Sequence, residues 1–181
     1  MHSSLREAAI SEFTFELCAK CVGVLDRAVT RSKIYEREIA AMEAGKRIRS
    51  GSREIDDLLM IAEWKAPRSA HHLKSNKSSE LLSEVLNVAT AECGLTGKKV
   101  DELVKLVGVR IPMASAILTC INPASYTVID VKVLDALHAK QRTITRDLYI
   151  RYLTFCRSTA KEIGVELRQL DRALWKSGSI V

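Results

Sequence analysis

Apolar side chains recur every three or four positions along most of the chain, a spacing that predicts amphipathic helices. The segments with this pattern are 4–29, 33–44, 56–63, 78–92, 100–106, 113–121, 131–140, 144–161 and 166–176. Aromatic residues make up only 5% of the sequence and there are three prolines, which favours helices over a sheet. We therefore expect an all-α fold in a single domain, residues 1–181.

Glycine and serine separate the second helix from the third. Residues 45–53, with the sequence GKRIRSGSR, follow a charged helix that we expect to end near Gly45. Their composition predicts a strongly basic loop. Such a loop either contacts phosphate or is simply solvated, and the sequence leaves both interpretations open.

The net charge of +6 and the isoelectric point near 9.1 suit a polyanionic partner, although many basic proteins bind none. Of the five cysteines, Cys18 and Cys21 form a C-x-x-C motif in a stretch that looks helical. We expect buried or half-buried reduced thiols, with no metal, iron–sulfur cluster or other cofactor. No signal pattern and no apolar run near ~18 residues is present, so we expect a cytoplasmic, nucleoid-associated protein without membrane contact.

The most informative segment is 106–130. A short helix, a turn built on Gly108 and a second helix opening at Pro112 predict a helix-hairpin-helix. The turn would present backbone N–H groups beside the positive end of the second helix, a combination that binds phosphate whatever the base sequence. Asp130 stands at the N-cap of the helix that follows.

This segment resembles the helix-hairpin-helix (HhH-GPD) DNA glycosylase superfamily, which includes endonuclease III and the adenine, 8-oxoguanine and alkylpurine glycosylases. In that family the hairpin precedes an apolar helix, a Gly/Pro loop and an aspartate that caps the next helix. The matching positions are Leu106, Gly108, Val109, Ala114, Asn122, Pro123 and Asp130. Pro112 stands at the family's lysine position, 18 residues before Asp130 as in the family. The resemblance is good over residues 100–140, weak over 55–100 and absent elsewhere.

The resemblance implies two small helical lobes with a cleft between them, and a base flipped from duplex DNA into that cleft. Asp130 would then stabilise the sugar cation or activate water. Because Pro112 replaces the lysine, strand cleavage through the usual Schiff base is not expected, as in monofunctional members. Arg110 replaces the second hairpin glycine and would bind phosphate through its side chain.

Further candidate DNA contacts are Trp64, Lys65 and Arg68, which lie where the family has a loop that enters the base stack, and Lys132. A tryptophan that seals the core is the competing interpretation of Trp64. The C-terminal helix reads as core packing through its leucines and Trp175, and it carries Asp171.

Three functions remain open from the sequence. The leading one is a monomeric, monofunctional glycosylase that excises a modified base from double-stranded DNA through Asp130. The second is a non-catalytic helix-hairpin-helix DNA-binding module, in which Asp130 only caps its helix. The third is a helical protein that binds another protein.

Overall fold

The computed structural model describes residues 12–77 and 80–179. Over these ranges the chain is helical and has no β-strand, which confirms the all-α prediction. The α-helices are α1 (Ala19–Thr30), α2 (Lys33–Arg49), α3 (Ile55–Lys65), α4 (Glu80–Thr90), α5 (Thr96–Leu103), α6 (Ile111–Ile121), α7 (Val131–Ala136), α8 (Arg146–Ile163) and α9 (Leu167–Ser177). A 3₁₀ helix, Pro67–Asn76, joins α3 to α4.

Helix α6 lies at the centre of the fold. Every residue from Met113 to Ile121 is buried, as expected for a helix that is apolar on all sides. It packs against α2, α3, α5 and α8. Pro112 occupies the first turn, where a missing backbone N–H costs no helical hydrogen bond. The second helix of the predicted hairpin therefore forms part of the core.

The predicted helix end at Gly45 is wrong, because α2 continues to Arg49. Gly45 is buried, and a Cβ atom there would lie 2.1 Å from the carbonyl oxygen of Cys120 in α6. The glycine therefore lets two helix backbones touch, and the packing gained by Ala44 and Ile48 outweighs its low helix propensity. Only residues 50–54 form the loop.

The basic residues of 45–53 are largely engaged within the protein. Arg47 forms an ion pair with Asp57, with 2.6 Å between nitrogen and oxygen. Arg53 donates to the side chain of Asn87 and to the carbonyl of Ile48. The interpretation of this segment as a basic loop free to contact phosphate is therefore wrong for these two side chains.

Two other boundaries differ from the predicted pattern. Residues 13–18 precede α1 and are not helical, and Phe13 is buried against Tyr152 and Phe155. Thr96 and Gly97 lie between the predicted helical segments 78–92 and 100–106, yet they begin α5. Residues 4–11 of the first predicted helix, and residues 78 and 79 at the start of the predicted segment 78–92, lie outside the described residues.

The close contact at Gly45 predicts a large effect of a single methyl group. Gly45→Ala would place the new Cβ against the backbone of Cys120, which cannot move without displacing α6. We expect a loss of more than about 2 kcal/mol in the free energy of unfolding, measured by urea denaturation.

Gly23→Ala is the matched control, since Gly23 is also helical but its added Cβ would meet only the Arg27 side chain at 3.5 Å. This variant should be more stable by about 0.5–1 kcal/mol. Equal stability of the two variants would contradict the proposed helix contact.

Candidate active site around Asp130

The hairpin segment consists of α5, a turn and α6. Gly108 in the turn has a φ of +83°, a left-handed conformation that glycine adopts without strain. A Cβ there would also lie 2.9 Å from that of His72, because the turn packs on the 3₁₀ helix. Asn76 fixes this contact: its side chain donates to the carbonyl of Val107 and accepts from the Val107 N–H, at 2.9 and 3.0 Å.

Arg110 directly precedes α6 as its N-cap residue, in an extended conformation. Its side chain is exposed and does not cap the helix. The start of α6 therefore carries a solvated cation next to its positive end, an arrangement open to an anion.

A stretch outside any helix, residues 126–129, leads from α6 to Asp130 and is buried. Side chains from three helices hold its backbone in place of a partner strand. Ser115 of α6 accepts from the Ile129 N–H at 3.1 Å, Asp171 of α9 accepts from the Val128 N–H at 3.3 Å, and the Tyr152 hydroxyl of α8 donates to the Val128 carbonyl at 3.1 Å. These bonds fix the position from which Asp130 projects.

Both carboxylate oxygens of Asp130 have partners. Oδ1 accepts from the Val133 N–H at 3.1 Å, so the predicted N-cap of α7 is confirmed. Oδ2 lies 2.5 Å from Nζ of Lys65, at the end of α3. Only 13% of the Lys65 side chain and 17% of the Asp130 side chain are exposed, so the pair is largely desolvated.

Asp130 lines a cavity of about 400 Å³. Its walls come from α1, α2, α3, α7 and α9 together with residues 128–130. Two aromatic side chains, Trp64 and Trp175, contribute apolar surface, and Lys65 and Lys132 contribute positive charge. The Lys132 ammonium lies 4.4 Å from the centre of the Trp175 ring, a cation–π contact.

The inner side of the cavity is built from a network of buried charges. Oε1 of Glu38, which is 2% exposed, accepts from Nε of Arg168 at 3.1 Å and from Nε of Arg172 at 2.7 Å. Arg168 also forms an ion pair with Asp171, and Arg172 pairs with Asp26 at 2.8 Å. The network ties α9 to α1 and α2, and it satisfies charges that would be costly to bury alone.

The charge states follow from this arrangement. Burial raises the pKa of the Asp171 carboxyl, and the guanidinium of Arg168 opposes that shift without cancelling it. For Arg168, desolvation lowers the pKa, but the charges of Asp171 and Glu38 outweigh it, and the net effect is a raised pKa. Arg168 therefore stays cationic, with its guanidinium 5.1 Å from the centre of the Trp64 ring.

The structure brings three of the predicted DNA contacts to Asp130. Trp64, Lys65 and Lys132 line the same cavity, although Trp64 and Lys65 belong to the last turn of α3 rather than to a loop. The other three predicted residues do not line it. Gly108 and Arg110 lie in the hairpin, and Arg68 is exposed on the 3₁₀ helix.

Sequence reasoning missed Glu38, Arg168 and Arg172, and it assigned no role in the cavity to Trp175. One signal was available in the C-terminal helix: Arg168, Arg172 and Trp175 recur at helical spacing beside the leucine stripe. The pairing of Lys65 with Asp130 had no such signal, because 65 residues separate them in the chain.

The expectation for the cysteines is wrong in part. Cys120 and Cys156 are buried, but Cys18, Cys21 and Cys93 are exposed. Within residues 12–77 and 80–179, no three or more His, Cys, Asp or Glu side chains group in a way that could hold a metal ion. In the same residues, no helix is both long and apolar enough to cross a membrane.

Comparison with family models, with curated proteins and with solved structures finds no match to this chain. The resemblance to the glycosylase superfamily therefore stays a prediction from its sequence motif, and the functional argument depends on the geometry around Asp130.

The Lys65–Asp130 pair predicts a stability effect. Lys65→Met retains most of the aliphatic side chain but leaves the Asp130 carboxylate largely buried without a counter-charge. We expect a loss of about 2 kcal/mol in the free energy of unfolding by urea denaturation.

The control is Lys105→Met, which removes an ion pair with Glu102. The two charged atoms of that pair are 2.6 Å apart, but the lysine side chain is 53% exposed. Lys105→Met should cost less than about 0.5 kcal/mol. The double variant Lys65→Met/Asp130→Asn should recover part of the lost stability, because the unpaired charge is gone. If Lys65→Met lowers the free energy of unfolding no more than Lys105→Met does, the Lys65–Asp130 pair contributes little to stability.

Proposed function

We propose that this protein is a monofunctional DNA glycosylase, which extrudes a modified base from double-stranded DNA and hydrolyses its N-glycosidic bond. The observation that carries the proposal is the position of Asp130. Its carboxylate lines a cavity of about 400 Å³ that is also lined by Trp64 and Trp175.

The size and walls of the cavity suit a flat heteroaromatic ligand. Its volume falls within the range of about 300–1,000 Å³ that is usual for small-molecule sites. Trp64 and Trp175 offer ring surface for stacking, and the Glu38–Arg168 pair offers a hydrogen-bond acceptor and donors. Stacking combined with hydrogen bonds along the base edge is how extruded bases are usually recognised.

The chemistry assigned to Asp130 follows from the charge that the reaction creates. Cleavage of the glycosidic bond builds positive charge on the deoxyribose ring, and a carboxylate beside that ring stabilises it or orients the attacking water. The bond from the Val133 N–H holds the carboxylate at the helix start, where the helix dipole also favours an anion. The hydrolysis needs only water as co-reactant.

The hairpin supplies the second part of the proposal. Arg110 and the N-terminus of α6 would hold a backbone phosphate, and the net charge of +6 would attract the polyanion. Through Asn76 the hairpin turn is tied to the 3₁₀ helix that follows Trp64 and Lys65. The proposed phosphate site and the proposed base pocket are therefore connected through the hairpin turn and the 3₁₀ helix.

One observation favours the alternative, a non-catalytic DNA-binding module. The ammonium of Lys65 lies 2.5 Å from Oδ2 of Asp130 and opposes its negative charge. In this interpretation Asp130 holds α3 and α7 together, and the hairpin binds DNA without any base being released. Catalysis requires Lys65 to leave Asp130, and a DNA phosphate near the cavity is a competing partner for that ammonium.

The first functional prediction concerns Asp130→Asn. Asparagine caps helices about as well as aspartate, so the fold should persist while the negative charge is lost. We expect single-turnover base release to fall at least about 100-fold, and affinity for the same duplex to stay within about threefold. Release would be measured on duplexes that each carry one deaminated, alkylated or oxidised base.

Asp135→Asn is the matched control, because Asp135 lies on the same helix, pairs with Arg142 and does not line the cavity. It should release bases at the rate of the unaltered protein. If the unaltered protein releases none of these bases and still binds DNA, the module is the correct function. Equal release by Asp130→Asn and the unaltered protein would eliminate Asp130 as the catalytic group.

The second functional prediction concerns the hairpin. Arg110→Gln should weaken binding to duplexes of different sequence by a similar factor. It should also reduce the slope of log affinity against log salt by about one, because one phosphate contact is lost. The measurement is a salt titration by fluorescence anisotropy.

Lys161→Gln is the control, because it removes the same charge near the C-terminal end of α8. Helix α5, the first helix of the hairpin, packs instead near the N-terminal part of α8, at Arg146 and Ile150. The salt slope of Lys161→Gln should match that of the unaltered protein. If Arg110→Gln behaves like this control, the hairpin does not contact phosphate. Absence of any salt-dependent affinity would favour a helical protein that binds another protein.

A further inference from the structure

Two exposed thiols lie together at the start of α1, away from the cavity. Cys18 is the N-cap residue of the helix and Cys21 belongs to its first turn. Their sulfur atoms are 3.2 Å apart, and both residues are exposed. A disulfide bond requires about 2.05 Å between the sulfurs, so a local rotation that brings them about 1 Å closer would suffice.

The contacts at the start of α1 also shift the pKa values of the two thiols in opposite directions. Hydrogen bonds from the backbone and the thiol of Cys21 lower the pKa of Cys18. The same thiol contact raises the pKa of Cys21. In C-x-x-C motifs at helix N-termini, the more acidic thiol is the one that attacks a disulfide.

We propose that Cys18 and Cys21 form a thiol–disulfide exchange site that is oxidised to an intramolecular disulfide by a small disulfide of the glutathione class. The Cys18 thiolate attacks one sulfur of glutathione disulfide, forming a mixed disulfide and releasing one glutathione thiolate. Cys21 then loses its proton to solvent and attacks the Cys18 sulfur, which expels the second glutathione. Two protein thiols are oxidised and one glutathione disulfide is reduced.

The remaining cysteines of the chain provide internal contrasts. Cys93 is exposed but has no neighbouring thiol within bonding distance among the described residues, so we expect it to form a mixed disulfide and no intramolecular one. Cys120 and Cys156 are buried, and desolvation raises the pKa of both thiols. In the folded protein these two should not react.

The site is independent of the proposed base excision. Val29, the residue of α1 that lines the cavity, is 11 residues from Cys18, about 16 Å along the helix. A disulfide confined to the first turn should leave base release unchanged. Failure of either proposal therefore says nothing about the other.

The experiment uses the full reduced chain in glutathione disulfide at neutral pH. Samples are quenched with acid over a time course, alkylated, digested and analysed by mass spectrometry. We expect the peptide with both cysteines to lose two hydrogen atoms and carry no adduct, whereas Cys93 carries glutathione. In Cys21→Ser, the glutathione adduct on Cys18 should persist at least roughly tenfold longer than in the unaltered protein.

Cys18→Ser is the second variant, and its Cys21 should take up glutathione more slowly than Cys18 does in Cys21→Ser. The proposal fails if the unaltered protein accumulates a stable glutathione adduct at Cys18 with no internal disulfide. It also fails if oxidation yields only disulfide-linked dimers, or if the adduct on Cys18 has the same lifetime with and without Cys21.

Discussion

A buried, non-helical stretch of backbone, residues 126–129, crosses a helical core and determines where Asp130 lies. Because the described chain has no strand to pair with it, side chains satisfy its polar groups: Ser115, Asp171 and Tyr152 each form one hydrogen bond to Val128 or Ile129. These bonds come from α6, α9 and α8, so three helices must pack correctly before the aspartate reaches its place. The candidate site thus depends on the whole core rather than on its local motif.

Much of this arrangement could be predicted from local sequence. Asp130 as an N-cap, the break at Gly108 and the helix opening near Pro112 all follow from the conformational preferences of single residues. Gly45 shows the limit of such reasoning. Glycine usually ends a helix, but here it permits contact with Cys120, and that requirement comes from a partner helix more than 70 positions away.

The cavity was harder to predict, because its properties depend on pairs of residues that are distant in sequence. Glu38 meets Arg168 and Arg172 across more than 120 positions, and Lys65 meets Asp130 across 65. In the sequence, each of these residues taken alone looks like an ordinary charged residue on the protein surface. Their burial beside Trp64 makes the cavity both charged and aromatic, and only the tertiary fold establishes that combination.

The two hydrogen bonds of Asn76 to Val107 have a mechanical consequence. They couple the hairpin turn to the 3₁₀ helix, whose other end is separated from α3 by one residue, Ala66. These contacts therefore hold the turn at a fixed distance from the mouth of the cavity. If the turn binds duplex DNA as proposed, the cavity lies at a fixed distance from the bound phosphate, measured along the axis of the duplex. A change of side chain at position 76 would remove both of these bonds and weaken the link between the turn and the 3₁₀ helix.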